Sequence, residues 1–322
     1  LADATGSDDA LTVKIVDAVA NDAVDAALAT SGIETVTIEV AEDTVQTSGG
    51  TGDNDAHLNV VGSDASKLVI TGGTAGELLD LTDGLGTTST KLNAATSEVD
   101  ASAYAGTLTA IAATNTATTV TAKGVLNLTG SVVGDTVTVG SADGFLNASI
   151  GTIATGAGSD VVTAYIGGSS ASFDGLTQAE TINVVFDATA GYTWTASNSS
   201  DGVDTAATVN YSGGKAGEVY KSTGALTDLG AARVIDGTDL LGSFDIVFAE
   251  DAFQQTNVSD KTTIIGGQGT KDVVRIELDG DTAGKNTGEF VMSGVETMYV
   301  ESHTDNANTL DLKNVTGLET IV

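Results

Sequence analysis

The sequence predicts a mainly β protein: a parallel β-solenoid, or stacked short-strand β-sheet modules, with one short N-terminal helix. Three observations carry this expectation. Most of the chain consists of short alternating apolar and polar runs, rich in β-branched residues and separated by Gly, Asn, Asp or Ser. Glycine numbers 40, while proline is absent; average usage near ~5 % would give roughly 16 prolines. Proline cannot donate to a sheet ladder, so its absence fits pervasive strand pairing. Finally, short motifs recur along the chain, as stacked repeats require.

The predicted strands, in order, are Leu11–Val16, Thr35–Val40, His57–Val61, Lys67–Thr71, Leu108–Ala112, Thr118–Ala122, Asp135–Val139, Val161–Ile166 and Thr181–Phe186. Each alternates with period two. The helix is expected over 16–28, where Val16, Val19, Ala20, Ala23, Val24, Ala27 and Leu28 fall at helical spacing and Gly32 can cap the end. Two shorter helical turns are expected near 226–232 and 249–253. With one Trp, six Tyr and seven Phe, the core must be built largely from Val, Ile, Leu, Ala and Thr.

The charge balance narrows the partners. The chain carries 44 acidic and 12 basic residues, a formal net charge of −32. Nucleic acid and anionic membrane surfaces call for a basic footprint, which is missing. Cations are the natural counterpart, although acidity also serves solubility without any specific site. The chain has no cysteine, which excludes disulfides, zinc–thiolate centres and thiol nucleophiles. No run approaches the 18 apolar residues of a membrane-spanning helix. The chain starts at Leu1 with no signal peptide and stops at Val322 in mid-pattern, which reads as a fragment whose parent continues beyond that residue.

The most informative motif is Thr155-Gly156-Ala157-Gly158-Ser159-Asp160-Val161-Val162-Thr163. It differs at one position from the calcium-binding nonapeptide G-G-x-G-x-D-x-U-x. Its glycines permit a tight turn with carbonyls aimed at one point. Asp160 adds a hard, charged oxygen suited to Ca²⁺. Related glycine turns occur at Gly49–Asp55, with Asp53 and Asp55, and at Gly266–Asp272, with Gly267, Gly269 and Asp272. Both carry one extra residue before the aspartate, and Lys271 takes the in-register position in the second. The candidate metal ligands are therefore Gly156, Gly158, Asp160, Gly267, Gly269, Asp272, Asp53 and Asp55.

Two further repeats organise the chain. A strand-entry signature appears as Gly32-Ile33-Glu34-Thr35-Val36, Gln178-Ala179-Glu180-Thr181-Ile182, Gly294-Val295-Glu296-Thr297-Met298 and Gly317-Leu318-Glu319-Thr320-Ile321. Thr71-Gly72-Gly73-Thr74-Ala75-Gly76-Glu77-Leu78 is echoed by Ser212-Gly213-Gly214-Lys215-Ala216-Gly217-Glu218-Val219. The order of these motifs predicts two diverged copies of one β-rich module, 1–187 with the N-terminal helix and 188–322. The signature glutamates are expected to mark strand positions rather than ligands.

Together, a glycine–aspartate turn, a strand and a G-[IVL]-E-T-[IVM] strand resemble the repeats of RTX-type bacterial surface-layer proteins. Residues 155–186 and 32–102 match best, the latter including Asp100-Ala101-Ser102-Ala103, and the weakest match is 187–252. The resemblance implies a secreted, calcium-loaded structural protein that self-associates into a two-dimensional lattice on the cell surface, exported by type I secretion, with cell-surface polysaccharide as a further partner. RTX adhesins share such modules, so an adhesin segment binding glycan or other cells is the alternative; Tyr192–Trp194 is its candidate contact. An extracellular polysaccharide-acting enzyme fits less well. His57 and His303 lie in no nucleophile motif, the elbow G-x-S-x-G is absent, and no phosphate-cradling loop occurs. No catalysis, nucleic-acid binding or membrane insertion is expected.

Overall fold

A computed structural model describes residues 6, 8–16, 24–41, 55–75, 77–82, 91–196, 206–223, 233–248, 262–278, 290–302 and 312–322. Every regular element among them is a strand. The chain divides into two compact units, Leu1–Gly144 with Ile150–Val162, and Phe145–Ser149 with Thr163–Val322.

The first unit holds β1 (Ala10–Ile15), β2 (Val24–Thr30), β3 (Thr35–Val40), β4 (Asp55–Ser63), β5 (Lys67–Gly72), β6 (Leu78–Asp80), β7 (Glu98–Tyr104), β8 (Thr107–Ile111), β9 (Thr119–Ala122), β10 (Leu126–Thr129), β11 (Thr136–Val139) and β12 (Ile153–Ala154). Its odd-numbered strands lie side by side in the order β1-β3-β5-β7-β9-β11, and its even-numbered strands in the order β2-β4-β6-β8-β10-β12. The pairs are parallel. A chain that alternates between two parallel sheets, one strand at a time, is a parallel β-solenoid.

β13 (Val161–Ile166) carries the chain onward. The second unit continues through β14 (Leu176–Thr177), β15 (Thr181–Phe186), β16 (Thr193–Thr195), β17 (Thr208–Gly213), β18 (Val219–Thr223), β19 (Val234–Leu240), β20 (Ser243–Phe248), β21 (Thr262–Ile265), β22 (Val273–Leu278), β23 (Phe290–Ser293), β24 (Thr297–Ser302), β25 (Val315–Thr316) and β26 (Thr320–Ile321). The same rule holds here: β15-β17-β19-β21-β23-β25 form one parallel row and β16-β18-β20-β22-β24-β26 another.

Alternation fixes which side chains face inward. In the first unit Val36, Leu68, Val99, Val120 and Val137 are opposite one another in register and fully buried. In the second, Ile182, Val209, Ile235, Ile264 and Met292 form the equivalent column. Each buried aliphatic side chain is worth about 1.5–3 kcal/mol, so the columns supply the main cohesion between coils.

The expected N-terminal helix is not found. Its C-terminal part is β2, which pairs with β4 through Ala26–Leu58, and residues 17–23 lie outside the described residues. Alanine and valine at helical spacing were compatible with either state, and cross-coil pairing outweighs local helix propensity. Gly32, expected as a helix cap, instead opens an arc between β2 and β3. The helical turns near 226–232 and 249–253 also lie outside the described residues.

The strand-entry signature has one backbone shape. Its first residue is left-handed in all four copies, with φ of 68° at Gly32, 67° at Gln178, 67° at Gly294 and 84° at Gly317. Gln178 is the one non-glycine with positive φ among the described residues. The first two copies lead into odd-numbered strands β3 and β15, the last two into even-numbered β24 and β26. The motif is thus a portable arc, usable on either side of a coil.

The segment 187–252, the weakest part of the resemblance, contributes in-register coils in its described portions. Its Trp194, Tyr211, Tyr220 and Phe244 join Phe173 and Phe186 in an aromatic core. Phe173 and Trp194 meet at 5.4 Å between ring centroids, Trp194 and Phe186 at 5.8 Å, Phe186 and Tyr220 at 4.5 Å, and Tyr211 and Phe244 at 6.1 Å. Trp194 is 1 % exposed, so it is a core residue and offers no platform for glycan.

Candidate metal centre

The loop closest to the calcium consensus precedes β13. It lies directly on an earlier loop, Gly130-Ser131-Val132-Val133-Gly134-Asp135, which precedes β11. A Cβ on Gly156, where φ is 97°, would fall 2.0 Å from the Ser131 carbonyl oxygen. One on Gly158 would fall 2.6 Å from the Gly134 nitrogen. Glycine is needed because main chain rests on main chain. Ala157 N–H donates to Ser131 O (3.3 Å) and Val161 N–H to Asp135 O (2.9 Å).

Both aspartates point inward. Asp160 is fully buried and its Oδ1 accepts the Asp135 N–H at 2.6 Å. Asp135 is 1 % exposed. Its Oδ1 accepts the Thr118 N–H at 2.7 Å and its Oδ2 the Ser131 N–H at 2.7 Å, with the Ser131 hydroxyl 3.2 Å from Oδ1. A buried charge is tolerated when hydrogen bonds of this kind replace its water. Each carboxylate thereby caps an N–H at the head of the preceding coil.

The same contact recurs in the second unit. Asp272 is fully buried just before β22, and its Oδ1 accepts the Phe244 N–H at 2.8 Å. The Asp272 N–H donates in turn to Glu296 Oε2 at 2.8 Å. Lys271 N–H donates to the Ser243 hydroxyl at 3.1 Å, and Gly269 N–H to Gly242 O at 3.0 Å. Asp272 Oδ2 is buried with no hydrogen-bond partner. Burial pushes the Asp272 carboxyl up to about 6; the N–H groups of Phe244 and Gly267 act against this, and the charge of Glu296 adds to it.

At the head of β1 the Asp9 N–H donates to Glu34 Oε2 at 2.7 Å. In all five contacts the donor lies in one coil and the carboxylate in the next, 25, 17, 25, 28 and 24 residues later. The signature glutamates Glu34 and Glu296 and the glycine-loop aspartates Asp160 and Asp272 therefore share one role with Asp135. Sequence reasoning missed Asp135 because Val133 stands where its loop would need a second glycine. The available clue was Gly134-Asp135 directly before an alternating strand, matching Ser159-Asp160 before β13.

The other candidates are placed as follows. Asp53 lies outside the described residues; Asp55 opens β4 opposite Leu78, and its side chain is also outside them. Gly156, Gly158 and Asp160 share one loop in the first unit, and Gly267, Gly269 and Asp272 one in the second. Among the described residues no group of three or more His, Cys, Asp or Glu side chains is gathered to hold a metal ion. Calcium takes roughly six to eight oxygen ligands. At the Asp160 loop three of the four oxygens of Asp135 and Asp160 accept main-chain N–H groups. The glycines leave no interval between the two loops. Of the two side-chain oxygens of Asp272, Oδ2 has no hydrogen-bond partner. The side chains at neither loop supply that number of oxygens.

The chain matches no family model, no curated protein and no solved structure.

Proposed function

We propose that the chain is a structural protein of a bacterial cell-surface layer, secreted by a type I route and assembled by calcium ions into a lattice with copies of itself. The observation that carries this reading is the parallel solenoid closed by recurring arcs, in a chain whose motifs resemble those of RTX surface-layer proteins. Within each unit the described coils are held by in-register columns, which suits a load-bearing extracellular part. Calcium's place in this reading is on exposed carboxylates, such as Asp64, Asp143 and Glu319. There it offsets the repulsion between copies that each carry a net charge of −32.

The test is light scattering and electron microscopy of the purified chain in millimolar Ca²⁺, in Mg²⁺ and in chelator, at one ionic strength. Scattering that grows with Ca²⁺ alone, together with periodic sheets, is expected. A chain that stays monomeric in all three buffers would overturn the reading.

A further inference from the structure

We propose that the glycine–aspartate loops of this solenoid are metal-independent: their carboxylates fasten each coil to the one before it by accepting its main-chain N–H, and no calcium ion sits in the loop. The resemblance assigns these loops to Ca²⁺, so the geometry departs from it. Three features carry the inference. The Asp160 carboxylate is buried and receives the Asp135 N–H. The Asp135 carboxylate, on a loop with a different sequence, receives the Thr118 and Ser131 N–H groups. Glu34 and Glu296, which lie on no glycine–aspartate loop, make the same contact to Asp9 and Asp272. A contact made by aspartate and glutamate alike, on loops with and without the glycine motif, is a property of the coil and not of an ion site. The close approach at Gly156 and Gly158 accounts for the glycines independently, through the Ser131 and Gly134 main chain.

The inference separates from the calcium-assembled lattice by variant. Asp160→Asn keeps an acceptor oxygen for the Asp135 N–H and removes the charge that a calcium ligand needs. Asp160→Ala removes both. Melting of the full chain is followed for wild type and both variants, in Ca²⁺ and in chelator at fixed ionic strength. The expected result is that Asp160→Asn melts close to wild type in both buffers. Asp160→Ala should melt roughly 3–6 °C lower by the same amount in each. A calcium-specific rise in the wild-type midpoint that survives Asp160→Asn would place the ion elsewhere and leave the inference standing. A calcium-specific rise that Asp160→Asn abolishes would overturn it, even where Asp160→Ala fails to fold. Lattice formation is read separately by scattering, so its failure does not bear on the loops.

Discussion

The main-chain N–H of Asp135 donates to the carboxylate of Asp160 at 2.6 Å, and Asp135 in turn accepts the N–H of Thr118 at 2.7 Å. One residue type thus supplies a main-chain donor to the coil that follows and a side-chain acceptor to the coil before. An acidic residue at the head of a strand satisfies a main-chain group that the parallel ladder leaves over. Part of the acidity of the chain is therefore structural. The repulsion it creates is offset locally by N–H dipoles rather than by basic side chains, of which the chain has 12.

The glycines of the stacked loops differ sharply in what a methyl group would do. Gly156→Ala forces a Cβ to within 2.0 Å of the Ser131 oxygen at a left-handed φ of 97°. Gly217 has a similar φ of 83° with nothing within 4 Å. Gly217→Ala is expected to cost about 1–2 kcal/mol for the left-handed backbone alone. Gly156→Ala should cost well over about 3 kcal/mol, since the loop must separate from its neighbour. Urea unfolding of both variants measures the difference; equal losses would show that the two loops are not in main-chain contact.

Glu296 is the signature glutamate with the clearest role. Glu296→Ala leaves the Asp272 N–H without its acceptor and is expected to cost about 1–3 kcal/mol. Glu296→Gln keeps an acceptor oxygen and should retain most of that stability. Chemical denaturation of the two variants decides it; a Gln variant as damaged as the Ala variant would mean that the charge, not the hydrogen bond, is what counts.

The strands were legible because period-two alternation is local: Thr35–Val40 and Thr181–Phe186 are observed with the bounds the alternation predicts. What was not legible depends on which coil lies against which. Residues 24–28 satisfied a helical pattern because alanine fits both periods, and only the ladder with β4 decides the matter. The role of Glu34 needs the register Ala10–Thr35, which sets Asp9 opposite it. Since the spacing between successive carboxylate contacts runs from 17 to 28 residues, no fixed period exposes the pairing in the sequence. The motif at Asp160 was found for its glycines, yet its aspartate shares its role with residues outside any glycine loop.

Trp194 is the single tryptophan and sits between Phe173, Phe186 and Tyr211. Its emission is expected to be blue-shifted and shielded from iodide, and to report unfolding of the second unit. Trp194→Ala should cost about 3–5 kcal/mol through lost burial and a cavity. A Trp194→Ala variant that melts like wild type, with quenchable emission in the parent, would contradict the aromatic core.

The pH dependence of the second unit centres on Asp272. Its carboxyl is raised from 3.8 to about 6, chiefly by burial, with Glu296 adding to the rise. A folded-state value above the unfolded one means that the folded chain binds the proton more tightly. The associated stability is complete below pH 3.8 and is lost as pH rises through about 6. From this group alone the unit should be more stable at pH 5 than at pH 7.5, by about 1.4 kcal/mol. The groups facing it are Glu296, whose charge opposes ionisation, and the N–H groups of Phe244 and Gly267, which favour it. Asp272→Asn isolates the effect from the other carboxylates. The amide keeps an oxygen for the Phe244 N–H and never ionises. In chelator, the variant is expected to unfold at higher urea than wild type at both pH values, with the margin at pH 5 about half that at pH 7.5. A variant destabilised equally at both pH values would show that Asp272 is ionised and stabilising throughout, and that Glu296 does not oppose its charge.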